Sequence, residues 1–194
     1  MTPAEYRAFE AASPVRHEFV GGRVYAMSGV ARAHSRIVGN IFARLWAAAR
    51  GGPCRVHQSE VKFQIGDVYY YPDVMVACGP EPEDPYVEDA PCFVAEVLSA
   101  STRRTDLTEK PDAYARVPSL GLYLVGDQRR RLVDVHRRAA GGWHVETVVG
   151  EGAVALPCPD VTLTLAEIYE GVDLPAVPPR RAREEAAAYQ PGTR

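Results

Sequence analysis

Between Ala31 and Arg50, apolar residues recur every three or four positions, at Ile37, Val38, Ile41, Phe42, Leu45, Trp46 and Ala49, before Gly51-Gly52-Pro53 closes the run. That period predicts one long amphipathic helix whose apolar stripe must be covered by another layer. The segments after it are short, apolar and bounded by turn residues. Cys54–Gln58, Glu60–Ile65, Val68–Ala77 and Cys92–Leu98 therefore predict strands, with an exposed Pro- and acid-rich loop over Gly79–Ala90. Ahead of the helix, Thr2-Pro3 with Glu5 forms a capping box for a short helix ending at Pro14, and Gly21-Gly22 joins two strands, Arg16–Val20 and Arg23–Met27, as a hairpin. Behind it, a second core helix spans Thr108–Arg116. Strands follow at Leu120–Val125, Leu132–His136, Trp143–Val149 and Val154–Leu156, and Val161–Tyr169 closes the fold with a short helix over Leu165–Tyr169. The pattern is a mixed α+β domain with a central mixed sheet flanked by helices and additional C-terminal antiparallel strands. Residues 1–171 form this domain, and a tail rich in Pro, Ala and Arg occupies 172–194.

Composition removes several classes of function. The formal charge of −3 disfavours a basic, tail-driven nucleic-acid binder, although local patches matter more than totals. No apolar run approaches the roughly 18 residues a membrane span needs. The first residues carry no apolar signal core, so the expected location is cytoplasmic. Cys54, Cys78, Cys92 and Cys158 are scattered without a CxxC pair, from which neither disulfides nor a zinc site is expected. No Walker loop, GxGxxG, GxSxG or HExxH is present.

The acids are unevenly placed. From Asp67 through Glu96 there are eight acids and no lysine or arginine, and five of the eight lie in the loop as a solvated face. Asp73 and Glu96 differ, because each is set in apolar strand sequence, Tyr69-Tyr70-Tyr71-Pro72-Asp73-Val74-Met75-Val76 and Phe93-Val94-Ala95-Glu96-Val97-Leu98. A carboxylate there is costly unless neutralised. Two facing carboxylates repel by about 4 kcal/mol at 4 Å and an effective dielectric of 20. Each acid pairs with an arginine, sits at a solvent-facing strand position, or binds a divalent cation. Mg²⁺ favours a few carboxylates completed by water and phosphate oxygens.

Pro72-Asp73 followed one strand later by Glu96-Val97-Leu98 resembles the PD-(D/E)xK nuclease core. More particularly, the chain resembles the Uma-type family of restriction endonucleases. The resemblance runs through Arg16-His17-Glu18, Gly22, Tyr25-Ala26-Met27-Ser28, His34, Tyr71-Pro72-Asp73-Val74, Glu96-Val97-Leu98-Ser99, Ser101-Thr102, Asp106, Lys110, Tyr114 and Tyr123-Leu124-Val125. It implies a restriction-endonuclease-like core that hydrolyses DNA phosphodiester bonds with Mg²⁺ or Mn²⁺, RNA being the other substrate open to the same core. Asp73, Glu96 and the Val97 carbonyl would hold the metal, with Glu18 as a third carboxylate. Leu98 stands where such cores carry their lysine, and the family pattern moves that lysine to Lys110. Ala100 stands where the family tends to have proline.

Composition singles out the same residue, since the chain has 20 arginines and two lysines, Lys62 and Lys110. An ammonium can act as a point donor to water, whereas guanidinium is a fixed planar fork. Lys62, on an alternating strand, and His34, at the head of the long helix, are accessory candidates. Their competing readings are a surface lysine and a helix cap. Glu18 could instead pair with Arg16 or Arg23. Asp106 reads as a helix-start acid, and Tyr114 and Tyr123 as core aromatics. Pro111 pushes the residue before it out of the α region, which sets the helix start near Thr108–Lys110. Arg103-Arg104 and Arg129-Arg130-Arg131 are candidate phosphate contacts, with ordinary solvated turns as the alternative. Exposed strand edges suggest a homodimer. A catalytically inactive binding module that keeps the nuclease fold is the competing reading of the whole chain, favoured by Leu98 and Pro111.

Overall fold

The computed structural model describes residues 1–99 and 102–174. The Ala100 departure, Ser101 and the tail from 175 onward lie outside the described residues. Of the tail, Val172 is buried and packs with Leu174 on the main core.

The central layer is a six-stranded sheet. In spatial order its strands are β11 (Gly142–Val149), β10 (Leu132–Ala139), β9 (Leu122–Asp127), β8 (Phe93–Leu98), β6 (Val74–Ala77) and β3 (Arg55–His57). β8 and β9 run parallel and are buried along their whole length, as expected of central strands covered on both faces. The crossover between them carries two short helices, α3 (Arg103–Leu107) and α4 (Glu109–Tyr114).

Strand alternation sorts the two faces. Val74, Val76, Phe93, Ala95, Val97, Leu122 and Leu124 face the long helix α2 (Arg32–Ala49), which contributes Ile37, Val38, Ile41, Leu45 and Ala49 to the same core. Each Ile or Leu buried there contributes about 1.5–3 kcal/mol. Trp46 departs from the predicted stripe. It is 54% exposed and stacks on Phe42 at 5.9 Å, on the margin of the helix. The opposite face presents Met75, Val94, Leu98, Tyr123 and Val125 to Phe63, Tyr70 and Tyr114. Part of that cover is a second sheet, ordered β2 (Arg23–Ala26), β1 (His17–Val20), β5 (Val68–Tyr70), β4 (Lys62–Ile65), β7 (Val87–Glu88). The N-terminal helix α1 (Pro3–Ala12) starts with the expected Thr2–Glu5 capping box. A separate hairpin, β12 (Ala153–Pro157) and β13 (Asp160–Thr164), precedes the short helix α5 (Leu165–Ile168). Gly21 and Gly22 have φ of +57° and +78°, which accounts for glycine at both positions of the first hairpin turn.

Four expectations are corrected. Val68–Ala77 is not one strand. Tyr71-Pro72-Asp73 leaves the ladder, and the chain crosses from the second sheet (β5) to the central one (β6). Pro72 has no N–H to donate, so the break falls there. The Thr108–Arg116 helix is the shorter α4, with Pro111 in its first turn so that Lys110 is helical, and an unexpected helix, α3, precedes it across a break at Thr108. The cysteines are paired, Cys54 with Cys78 and Cys92 with Cys158, across separations of 24 and 66 residues that hide the pairing in sequence.

The acidic loop, finally, is not wholly solvated. Glu88 is 4% exposed and receives Arg55 Nε and Nη2 at 2.9 and 3.2 Å, with His57 Nε2 at 3.0 Å. Burial opposes its charge, but the His57 and Arg55 hydrogen bonds outweigh it and hold the carboxyl below its ordinary range. A depressed carboxyl stabilises the fold above its unfolded value, and that contribution is lost as pH falls through the folded one. Glu88→Gln is therefore expected to cost about 2–3 kcal/mol at neutral pH. In urea titrations the difference from wild type should shrink as pH drops below about 4.5. A constant difference down to pH 3 would contradict the assignment.

Candidate active site

Asp73 sits at the crossover between the sheets, immediately before β6. Continuing the β6–β8 register, in which Val74 opposes Ala95 and Met75 opposes Val94, brings Asp73 opposite Glu96. The contacts agree. The Asp73 N–H reaches Glu96 Oε2 at 3.4 Å, and the Val97 N–H donates to Asp73 Oδ2 at 2.7 Å. The two acids singled out by their apolar surroundings thus meet across one strand pair.

Lys110 enters from α4. Its Nζ lies 2.8 Å from Glu96 Oε1, 3.1 Å from Asp106 Oδ1 and 3.2 Å from Glu18 Oε1. The ammonium is 3% exposed and lies 5.5 Å from the centre of the Tyr70 ring. Pro111 does not divert it. Leu98, at the usual lysine position, packs into the hydrophobic cluster with Phe63, Tyr70 and Tyr114. The ammonium beside Glu96 comes from α4.

Neither strand acid pairs with an arginine among the contacts of the described residues. Glu96 accepts from Lys110 and from the Tyr114 hydroxyl at 3.0 Å. Asp73 Oδ2 lies 3.1 Å from His34 Nε2. His34 is not the helix cap, a place taken by Ala31. It is 4% exposed, and its Nδ1 has no hydrogen-bond partner. Glu18 pairs with neither Arg16, which meets Glu60, nor Arg23. It accepts the Tyr71 N–H at 3.3 Å and faces Lys110.

Two further participants escaped the sequence reading. Asp106, taken for a helix-start acid, is 1% exposed and belongs to the lysine's cage. Tyr114, taken for a core aromatic, turns its hydroxyl onto Glu96. The signal was available: 106, 110 and 114 are spaced by four, which puts them on one helical face. Tyr123 is a core aromatic whose hydroxyl donates to the Asp106 carbonyl.

The electrostatics follow from three carboxylates around one ammonium, with Asp73 as a fourth beside Glu96. Burial, followed by Asp106, Asp73 and Glu18, pushes the Glu96 carboxyl well above its ordinary range despite Lys110. Burial alone would lower Lys110, but Glu96, Tyr114, Glu18 and Asp106 outweigh it and keep the ammonium firmly protonated. Lys110 is accordingly a fixed cation and a donor, not a base. Surplus negative charge remains, since Glu18, Glu96 and Asp106 share the one ammonium. Hard carboxylate oxygens are the donor class that Mg²⁺ and Mn²⁺ take. The acids open into a cavity of ≈ 260 Å³ that also reaches Tyr25, His34 and Arg104.

The remaining candidates lie elsewhere. Lys62 stands over the rings of Tyr71 and Tyr86, at 5.7 and 5.6 Å. Arg103, Arg129 and Arg130 line a separate cleft of ≈ 480 Å³ at the ends of β8 and β9. There, buried Asp127 accepts from the Arg129 N–H at 2.9 Å and from Arg130 Nη2 at 2.7 Å. Arg131 is half-buried just before β10. Arg138 is structural, donating to three backbone carbonyls and lying 4.8 Å over Trp143.

A mixed α+β fold with acids gathered on its central strands defines a nuclease-like class. The fold is similar to that of an Anabaena variabilis protein described as a "putative nuclease belonging to DUF820", with a TM-score of 0.73 and 17% identity, over 87% of this chain and 97% of that one. The family model Uma2, "Putative restriction endonuclease", matches residues 3–168, and the chain belongs to this family. Two Synechocystis proteins are similar along most of their length. Slr1290 is 30% identical over 89% of this chain and 93% of its own, and sll1609 is 28% identical over 79% and 90%. No described helix is long and apolar enough to cross a membrane.

Proposed function

We propose that the chain is a divalent-metal-dependent endonuclease that hydrolyses phosphodiester bonds of DNA. The observation that carries this reading is the convergence of Glu18, Glu96 and Asp106, from three separate elements, on the buried ammonium of Lys110, with Asp73 set beside Glu96. Asp73, Glu96 and the Val97 carbonyl would hold Mg²⁺ or Mn²⁺, with Glu18 as a further ligand. When bound, such an ion polarises the phosphate and lowers the pKa of its water.

The chain's own residues do the rest. Lys110 offers a positive charge, fixed by its carboxylates, to a water and to the negative charge that develops on phosphate oxygens. His34, against the Asp73 carboxylate, orients that acid. Arg104 lines the acid cavity, where a phosphate of the same strand would lie, and Arg103, Arg129, Arg130 and Arg131 would extend the track along the neighbouring surface.

Glu96 holds its proton above the ordinary carboxylate range, and a metal must displace that proton. Mn²⁺ affinity, measured by isothermal titration, is therefore expected to keep rising with pH above about 6, where an unperturbed carboxyl is already fully ionised. A profile flat from about pH 6 upward would contradict this.

The functional test is cleavage of plasmid and single-stranded DNA with Mg²⁺ or Mn²⁺ by wild type, Asp73→Ala and Lys110→Ala. Activity that requires metal and both side chains supports the proposal. Activity indifferent to both substitutions, cleavage confined to RNA, or binding without cleavage each contradicts it, the last in favour of a binding module.

A further inference from the structure

The cysteines expected to be unrelated gather in one place, at the end of the central sheet remote from the acids. Cys54 precedes β3, Cys78 follows β6, Cys92 precedes β8, and Cys158 lies in the β12–β13 turn. Along β6 and β8, Cys78 is five residues from Asp73 and Cys92 four from Glu96, about 17 and 13 Å at 3.3 Å per residue. The two disulfides do not stand apart. Cys78 Sγ of one lies 3.4 Å from Cys92 Sγ of the other, and the sulfurs of Cys78, Cys92 and Cys158 all fall within 4.8 Å of one another. All four cysteines are half-buried, and none of them is outside a disulfide.

We propose that Cys54, Cys78, Cys92 and Cys158 form one thiol–disulfide exchange site, which a dithiol reductant opens and in which Cys78 and Cys92 then bond to each other. The contact makes the product independent of which disulfide opens first. A dithiol that reduces Cys92–Cys158 gives up two electrons and two protons, and is itself oxidised to a disulfide. The Cys92 thiolate then faces Cys78 Sγ, forms the Cys78–Cys92 bond and expels Cys54 as a thiolate, which takes up the proton Cys92 lost. Opening Cys54–Cys78 instead leaves Cys78 facing Cys92 Sγ, and Cys158 departs. Either route ends with one disulfide and two thiols, and the exchange step itself transfers no net electrons.

The rearrangement has a structural consequence. The oxidised form ties β3 to β6, and ties β8 to the C-terminal hairpin. The exchanged form ties β6 to β8, the two neighbouring strands on which Asp73 and Glu96 meet, and frees both outer attachments.

The test is limited reduction of the oxidised full chain with dithiothreitol, alkylation at acid pH and peptide mass mapping of the species with two thiols. Label is expected on Cys54 and Cys158, roughly tenfold above that on Cys78 and Cys92, together with a Cys78–Cys92 linked peptide. The Cys54→Ser/Cys158→Ser variant, oxidised with glutathione disulfide, is expected to lose two hydrogens in mass by forming the same bond. Label paired on Cys54 and Cys78, or on Cys92 and Cys158, without the linked peptide would overturn the proposal even if the variant does not fold. So would stoichiometric zinc held on four thiolates in the purified protein. Neither result bears on the nuclease reading, which rests on other residues.

Discussion

Replacing Lys110 with methionine is expected to cost about 3–5 kcal/mol of folding stability at pH 8, and to recover part of that loss at pH 5. Methionine is close to lysine in length and fills the same apolar path past Tyr70, so the effect reports charge more than volume. Without the ammonium, Glu18, Glu96 and Asp106 face one another in a site where Glu96 is already 3% exposed. Two carboxylates about 4 Å apart repel by roughly 4 kcal/mol at an effective dielectric of 20. Protonation is the remaining relief, so the Glu96 carboxyl, already raised by burial, is pushed up further. A raised carboxyl favours the folded state at low pH and disfavours it as pH climbs above the unfolded value, which sets the sign of the recovery. Lys62→Met is the matched control. Lys62 touches two aromatic rings outside the cage, and its loss should cost about 0.5–1 kcal/mol with little pH dependence. Equal effects at the two positions, measured by urea unfolding, would contradict the cage.

Asp73→Asn should do the reverse, lowering cleavage about 100- to 1000-fold while leaving stability unchanged or higher. Asparagine keeps an oxygen to accept the Val97 N–H, so the crossover before β6 retains its hydrogen bond. The substitution removes one of the carboxylates whose charge pushes Glu96 upward, so the fold is relieved of repulsion. The loss in rate corresponds to about 3–4 kcal/mol of transition-state stabilisation. A variant both less active and markedly less stable would assign Asp73 to the scaffold.

Local rules made much of this molecule legible. The Thr2–Glu5 capping box, the Gly21-Gly22 turn and the apolar spacing from Ile37 to Ala49 each depend on neighbours in sequence, and each forms as read. Asp73 and Glu96 were legible because charged residues in apolar strand sequence need a reason to be there. What stayed hidden depends on long-range closure. Nothing near Cys158 indicates Cys92, and nothing near Glu88 indicates that Arg55 and His57 will bury it. Trp46 follows the helical period, yet it stays exposed beside Phe42 at the margin of the stripe. Asp106 and Tyr114 lay between, since their spacing from Lys110 was visible but α3 and α4 had to align across Thr108 for it to matter.

A metal-dependent hydrolytic site at the acids around Lys110 is tested by the single-turnover rate of DNA cleavage across a Mg²⁺ titration, for wild type and Asp73→Asn side by side, with a chelator control. The wild-type rate is expected to saturate with Mg²⁺ and fall to background with chelator, and the Asp73→Asn rate to be at least about 100-fold lower. Equal rates for the two proteins, or wild-type cleavage that survives chelation, would contradict it.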